Sequence, residues 1–141
     1  MIYMLDTNIC SFIIRNKPKS VKEKLKEVER EHRVVLSTIV VSELLYGAYK
    51  KGSPKLINVV QKFIECFEII PYDYEASKVY GKLRAELEKQ GISIGAYDLQ
   101  IAAHALSIDA ILVTNNLREF GKIKGLKVED WLDVQNSNSD K

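Results

Sequence analysis

The chain is poor in the residues that mark specialised protein classes. Its only cysteines, Cys10 and Cys66, stand far apart, and neither belongs to a Cys-x-x-Cys pair. A disulfide framework and a cysteine-ligated zinc site are thereby excluded, and reduced thiols in a cytoplasmic protein are expected. Only two histidines occur, His32 and His104, so no His/Cys set offers a zinc centre. Three prolines and seven glycines among 141 residues leave no linker-like or low-complexity stretch, and there is no internal repeat. No apolar run reaches the roughly 18 residues of a membrane span. Met1-Ile2-Tyr3-Met4-Leu5 meets Asp6 too early for a signal peptide. A GxGxxG loop, a Walker loop and a GxSxG elbow are missing as well, which removes dinucleotide, nucleoside-triphosphate and serine-hydrolase chemistry from the leading readings.

What is present fits one ordinary globular domain: 141 residues, 46% hydrophobic and 28% charged. Such a chain can bury a single core unaided. The net charge of +2 says little about partners, but its distribution is uneven. Residues 1–62 hold twelve Lys/Arg against six Asp/Glu, a net +6, which leaves −4 for the remainder. Arg15, Lys17, Lys19, Lys22, Lys24 and Lys26 fall close together with only Glu23 opposing them. Such a stretch attracts a polyanion, although a solvated helix face explains it equally simply.

Hydrophobic patterning predicts an alternation of short buried strands and helices. Ile2–Leu5 reads as a strand, followed by a helix to about Arg15 and a charged helix over Lys19–Arg33. Val34–Leu36 is a second strand. Ser37 caps a largely apolar helix from Thr38 to about Lys50, and Gly52-Ser53-Pro54 breaks it before a helix over Lys55–Cys66. Phe67–Pro71 is a third strand, and Asp73 caps a long helix ending at Gly91. A helix around Ala96–Leu106, a strand over Ala110–Val113 and a short final strand at Leu126–Val128 complete the pattern. Residues 1–134 form the domain, and the polar 135–141 tail is expected to be disordered. The alternation implies an α/β sandwich with a central, mostly parallel sheet flanked by helices. In such sheets ligands bind beyond the carboxyl ends of the strands, where Asp6 and Asn115-Asn116 lie. If their strands are neighbours, these groups converge.

Three carboxylates stand out against this pattern. Asp6 follows the first strand, where a helix cap explains it, yet Thr7 and Asn8 would serve as caps too. Glu43 lies on a helix apolar nearly all round, which predicts partial burial, and a buried carboxylate needs a partner, a proton or a metal. A salt bridge, with Arg84 the obvious candidate, is the structural explanation. Asp98 sits in line with Ile101, Ala102 and Ala105, near a helix N-terminus whose dipole favours it. Asn115 and Asn116 are placed either to turn the chain in the left-handed region or to offer amide oxygens. His32 is expected to be exposed on a charged helix. His104, on the Tyr97/Gln100 face opposite Asp98, reads as a satisfied structural histidine. Three carboxylates from three segments form a hard-oxygen donor set suited to Mg²⁺ or Mn²⁺, and a metal-only site favours phosphate-ester hydrolysis.

Four motifs then carry a resemblance. They are Met4-Leu5-Asp6-Thr7-Asn8; Ser37-x4-Ser42-Glu43-Leu44-x2-Gly47; Ile94-Gly95-Ala96-Tyr97-Asp98 running into Leu99-Gln100-Ile101-Ala102-Ala103-His104-Ala105; and Val113-Thr114-Asn115-Asn116-Leu117-Arg118-Glu119-Phe120, with Gly125-Leu126 and Asp130-Trp131 beyond. In this order and spacing the chain, from Ile2 to about Leu132, resembles the PIN-domain nucleases, most closely the VapC-type toxins of type II toxin–antitoxin pairs. The resemblance implies an endoribonuclease using Mg²⁺ or Mn²⁺, acting in several members on transfer RNA. It maps the metal-binding and catalytic carboxylates onto Asp6, Glu43 and Asp98. Many PIN domains carry a fourth acidic residue after the last central strand, where this chain has Thr114-Asn115-Asn116. VapC-like members commonly show this Asn pair. Glu119 or Asn116 is left to contribute to a second metal through water, with Thr7 and Asn8 holding ligands and water around the first. Arg84 would neutralise phosphate or balance Glu43, and Lys22 and Lys26 would draw in RNA backbone. Also implied are a homodimer and a small VapB-like antitoxin that blocks the site. The alternatives are a PIN nuclease outside toxin systems, acting in RNA processing or on DNA, and a non-catalytic α/β binding module.

Overall fold

The computed structural model describes residues 1–132, so the 135–141 tail lies outside the described residues. Five strands, β1 (Ile2–Leu5), β2 (Arg33–Ser37), β3 (Glu68–Ile70), β4 (Ile111–Val113) and β5 (Lys127–Glu129), form one sheet in the order β3-β2-β1-β4-β5. Every neighbouring pair is parallel. Parallel strands need helical crossovers, and the helices supply them: α1 (Thr7–Arg15), α2 (Lys19–Glu29), α3 (Thr38–Lys51), α4 (Pro54–Glu65), α5 (Tyr74–Lys89), α6 (Ala96–Ser107) and a short α7 (Leu117–Phe120). The central strand β1 is matched on both sides, Met4 opposite Val35 of β2 and opposite Leu112 of β4. Met4, Val35 and Leu112 are all fully buried, as a doubly covered strand requires.

The capping chemistry follows the sequence closely. Asp6, Ser37, Ser53 and Asp73 each accept a backbone N–H from the first turn of α1, α3, α4 and α5, and Pro54 opens α4. Four details depart from expectation. The second helix ends at Glu29 and not at Arg33, because Val28 is its last buried residue and the segment to β2 turns away. His32 is consequently not on a helix but half-buried, its ring 5.4 Å from that of Tyr3. β3 is an edge strand with Glu68 and Ile69 exposed; Arg33 reaches across to Glu68 with two hydrogen bonds, of 3.1 and 2.6 Å. The four-residue α7 was not anticipated, since a single turn leaves no periodicity to read.

The turn after α7 depends on one glycine. Gly121 N–H donates to the Leu117 carbonyl at 2.8 Å, and a Cβ built on Gly121 would stand 2.6 Å from that same oxygen. Backbone on both sides leaves little freedom to yield. Gly121→Ala should therefore lose about 1–3 kcal/mol of stability, the usual cost of forced overpacking. A urea-denaturation midpoint equal to that of the parent would show that the turn relaxes freely.

Candidate active site

The strand order brings Asp6 beside the segment that follows β4. β1 and β4 are neighbours, and beyond their carboxyl ends Asp6 N–H donates to the Val113 carbonyl at 2.9 Å. Asp6 is only 5% exposed. Its Oδ1 accepts the Thr7 backbone N–H at 2.8 Å and its Oδ2 accepts the Thr114 hydroxyl at 2.9 Å. The Thr114 hydroxyl oxygen in turn accepts the Asn116 backbone N–H at 3.0 Å. Burial raises the Asp6 carboxyl above its ordinary range, and these two donors only partly offset the effect.

Asp98, half-buried in the first turn of α6, is raised by burial, then by the charges of Asp6 and Glu119. The charges of Asp6 and Glu119 thus lie near enough to Asp98 to disfavour its ionisation. Glu119 itself is bridged to Lys122 at 3.2 Å. Tyr97 joins the cluster from α6. Its hydroxyl hydrogen-bonds that of Thr7, and it is held strongly toward the neutral form by burial and by the charges of Asp6 and Glu43. The charges of both carboxylates thus bear on Tyr97. The thiol of Cys10, fully buried beside Asp6, is likewise pushed up and stays inert.

Glu43 is exposed, contrary to the expectation of partial burial. The reason is that α3 covers the interior with Val40, Leu44 and Ala48, leaving Ser42, Glu43 and Tyr46 on an uncovered side. Arg84 does not balance it. Its guanidinium donates to Glu88 and to the Tyr80 hydroxyl, both at 3.0 Å on α5. Glu43 instead borders a groove of about 410 Å³ lined among others by Thr7, Asn8, Ser11, Arg15 and Lys51. Neither Asn115 nor Asn116 adopts the left-handed conformation; Asn116 starts α7 and Asn115 is exposed. Lys22 and Lys26 are exposed on α2. That helix leads to the amino end of β2, the end of the sheet away from the acidic cluster.

Two participants escaped the sequence reading. Thr114 was visible only as part of a polar triplet, and Tyr97 as an aromatic in a motif; a hydroxyl has no spacing rule that announces it. Among the described residues no three Asp, Glu, His or Cys side chains converge into a ready coordination shell. The donor chemistry nevertheless fits Mg²⁺ or Mn²⁺. A hydrated divalent ion is held by one or two carboxylates with waters completing its shell, and Asp6 and Asp98 supply two, the first made costly to ionise by burial and the second by burial and neighbouring negative charge, both of which a cation would relieve.

A parallel α/β domain with an acidic cluster beyond its central strands defines a class, and comparison with known proteins agrees with it. Residues 3–126 match the PIN domain family, and the chain belongs to that family. It is 44% identical over 130 residues to the tRNA(fMet)-specific endonuclease VapC of Salmonella typhimurium, covering 92% of this chain and 97% of that protein. It is 42% identical over 132 residues to Ribonuclease VapC2 of Rickettsia felis, covering 93% and 98%. Among solved structures, VapBC2 from Rickettsia felis bound to a DNA fragment from their promoter superposes with a TM-score of 0.88 at 41% identity, over 93% of this chain and 99% of that one. DNA-bound VapBC from Salmonella typhimurium gives 0.86 at 43%, over 93% and 98%.

The raised carboxyl of Asp98 has a stability consequence. The folded state holds this proton more firmly than the unfolded chain does. The benefit is present at low pH and is lost as pH rises from the ordinary carboxylate range through the raised folded value. Ionised Asp98 is thus a liability at neutral pH without a cation. In metal-free protein, Asp98→Asn should raise the urea midpoint at about pH 7, and the gain should shrink toward about pH 3, where both states are protonated. A gain of equal size at both pH values would contradict this account.

Proposed function

We propose that the chain is a divalent-metal-dependent endoribonuclease, the toxin of a type II toxin–antitoxin pair, which hydrolyses RNA phosphodiester bonds. The observation that carries the proposal is the cluster beyond β1 and β4, where Asp6 is buried and its charge, with that of Glu119, adds to the cost of ionising Asp98. The curated relatives are named ribonucleases, one of them specific for tRNA(fMet); transfer RNA is therefore the substrate class proposed here. The VapBC complexes among the similar structures support a small VapB-like antitoxin as partner, and a homodimer is part of the same reading.

Asp6 and Asp98 would hold Mg²⁺ or Mn²⁺, with Glu43 completing the set directly or through water. When bound, the cation polarises phosphoryl oxygens and supplies an activated water, and hydrolysis with the 3′ oxygen leaving yields 5′-phosphate and 3′-hydroxyl ends. The chain's own contribution is preorganisation. Thr114 and the Thr7 N–H fix both oxygens of Asp6, so its carboxylate cannot rotate away. Tyr97, through Thr7, ties the first turn of α6 to that of α1, which fixes the approach of Asp98 to Asp6. Asn8 borders the open groove, and Asn116 supports Thr114 through its backbone. Arg15 and Lys51 line the groove beside Glu43 and offer charge to the RNA backbone, more directly than Lys22 and Lys26 on α2 or the engaged Arg84.

Asp98→Asn should reduce cleavage of end-labelled transfer RNA at least a hundredfold while the folded fraction stays intact, since removing an essential metal ligand forfeits several kcal/mol of transition-state stabilisation. Chelation with EDTA should do the same to the parent, reversibly. Retained activity in the well-folded variant would defeat the mechanism, as would 2′,3′-cyclic phosphate ends, which mean that the RNA's own hydroxyl attacks.

For RNA binding, Arg15→Ala with Lys51→Ala should weaken affinity and lower its salt dependence more than Lys22→Glu with Lys26→Glu does. The opposite ranking would place the backbone track on α2.

A further inference from the structure

His104 is almost wholly buried, at 1% exposure, and lies outside the acidic cluster. Its Nδ1 is 2.8 Å from the Ser37 hydroxyl oxygen. Its Nε2 is buried and has no hydrogen-bond partner among the described residues. A polar ring half unsatisfied in the core is costly, and an apolar side chain of similar size would fill the space without that cost. The position is explained if the bond at Nδ1 does something that apolar packing cannot.

Ser37 shows what that is. It is the last residue of β2 and the N-cap of α3, and its hydroxyl oxygen accepts the Ile39 backbone N–H at 3.1 Å. One oxygen therefore serves both the cap of α3 and the imidazole of α6. A second bond reinforces the same corner. Tyr72 N–H donates to the Thr38 hydroxyl at 3.0 Å, and the Tyr72 ring stands edge-on to His104 at 5.5 Å between centroids. Both proposed metal ligands on these helices are measured from this corner. Glu43 is six residues along α3 from Ser37, and Asp98 is six residues back along α6 from His104. At the helical rise each carboxylate stands about 9 Å from the bonded pair. α3 and α6 pack directly against each other, so a slip at the corner moves one carboxylate relative to the other.

We propose that His104 is a positioning residue for the metal site: through Ser37 it pins the first turn of α3 to α6 and so sets the separation of Glu43 from Asp98. The inference rests on the metal-dependent reading given above. The imidazole does this in its neutral form, which burial favours.

The test is Mn²⁺ binding to the purified full chain, followed by electron paramagnetic resonance, with no RNA present. His104→Leu fills the space without the bond and should weaken Mn²⁺ binding roughly tenfold, the lower end of what losing a ligand-orienting contact costs. His104→Asn places an amide where Nδ1 stood and should bind within about twofold of the parent. Adding Ser37→Ala to His104→Leu should weaken binding no further. Parent-like affinity in His104→Leu, or equal loss in His104→Asn, overturns the proposal. Should His104→Leu fail to fold, Ser37→Ala against Ser37→Thr puts the question to the other partner; equal affinities there would also overturn it. Asp98→Asn is the control on the underlying reading. If the parent binds no more Mn²⁺ than Asp98→Asn, the metal reading fails. The link is then decided by amide exchange at Ile39, which should quicken in His104→Leu and not in His104→Asn.

Discussion

Across the junction of β1 and β4, the hydroxyl of Thr114 donates to a carboxylate that has almost no access to water. This contact forces the rest of the site. Asp6 must be held by fixed donors because solvent cannot hold it, and Thr7 N–H and Thr114 between them occupy both its oxygens. Two donors do not fully replace water, so the group remains hard to ionise. Asp98 then meets the same difficulty, raised first by its own burial and then by the charges of Asp6 and Glu119. A fold under selection for stability alone would not gather like charges at the end of its central strands. The arrangement supports the cation site proposed above.

The groups around the cluster are chosen to stay uncharged. Tyr97 and Cys10 face the same negative field, and burial keeps each protonated. Neither competes with the carboxylates for a cation or acts as a nucleophile. Glu43 plays a different part because it is open to the groove with Arg15 and Lys51 nearby. The site is thus graded from a rigid buried acid, through a half-buried one, to an exposed one at the edge of the groove that Arg15 and Lys51 line.

Most of this arrangement was legible in the residues, and the failures have identifiable causes. The alternation of strands and helices, the caps at Asp6, Ser37 and Asp73, and the approach of Asp6 to the segment carrying Asn115-Asn116 all follow from local chemistry plus one topological rule. Glu43 was misjudged because apolar content around a helix does not say which side another element covers; α3 leaves Tyr46 60% exposed on the same open side. Arg84 was misassigned because a neighbour four residues along its own helix, Glu88, outcompetes any distant acid. His104 was expected to be fully satisfied, but only Nδ1 is. Hydroxyl partners such as Thr114 and Tyr97 are set by tertiary placement alone, and no periodicity encodes them.

The central position of β1 has a temporal consequence. The bond that completes the Asp6 environment joins residues 108 positions apart, and β1 finds its second neighbour only when β4 exists. A ribosome making this chain therefore releases Asp6 108 residues before its hydroxyl partner. Pairings of such long range form late and slowly. Until then Asp6 is an ordinary hydrated carboxylate in an incomplete sheet. The buried environment of Asp6 is thus among the last parts of the fold to be completed, although the residue itself is made long before the strand that closes it in.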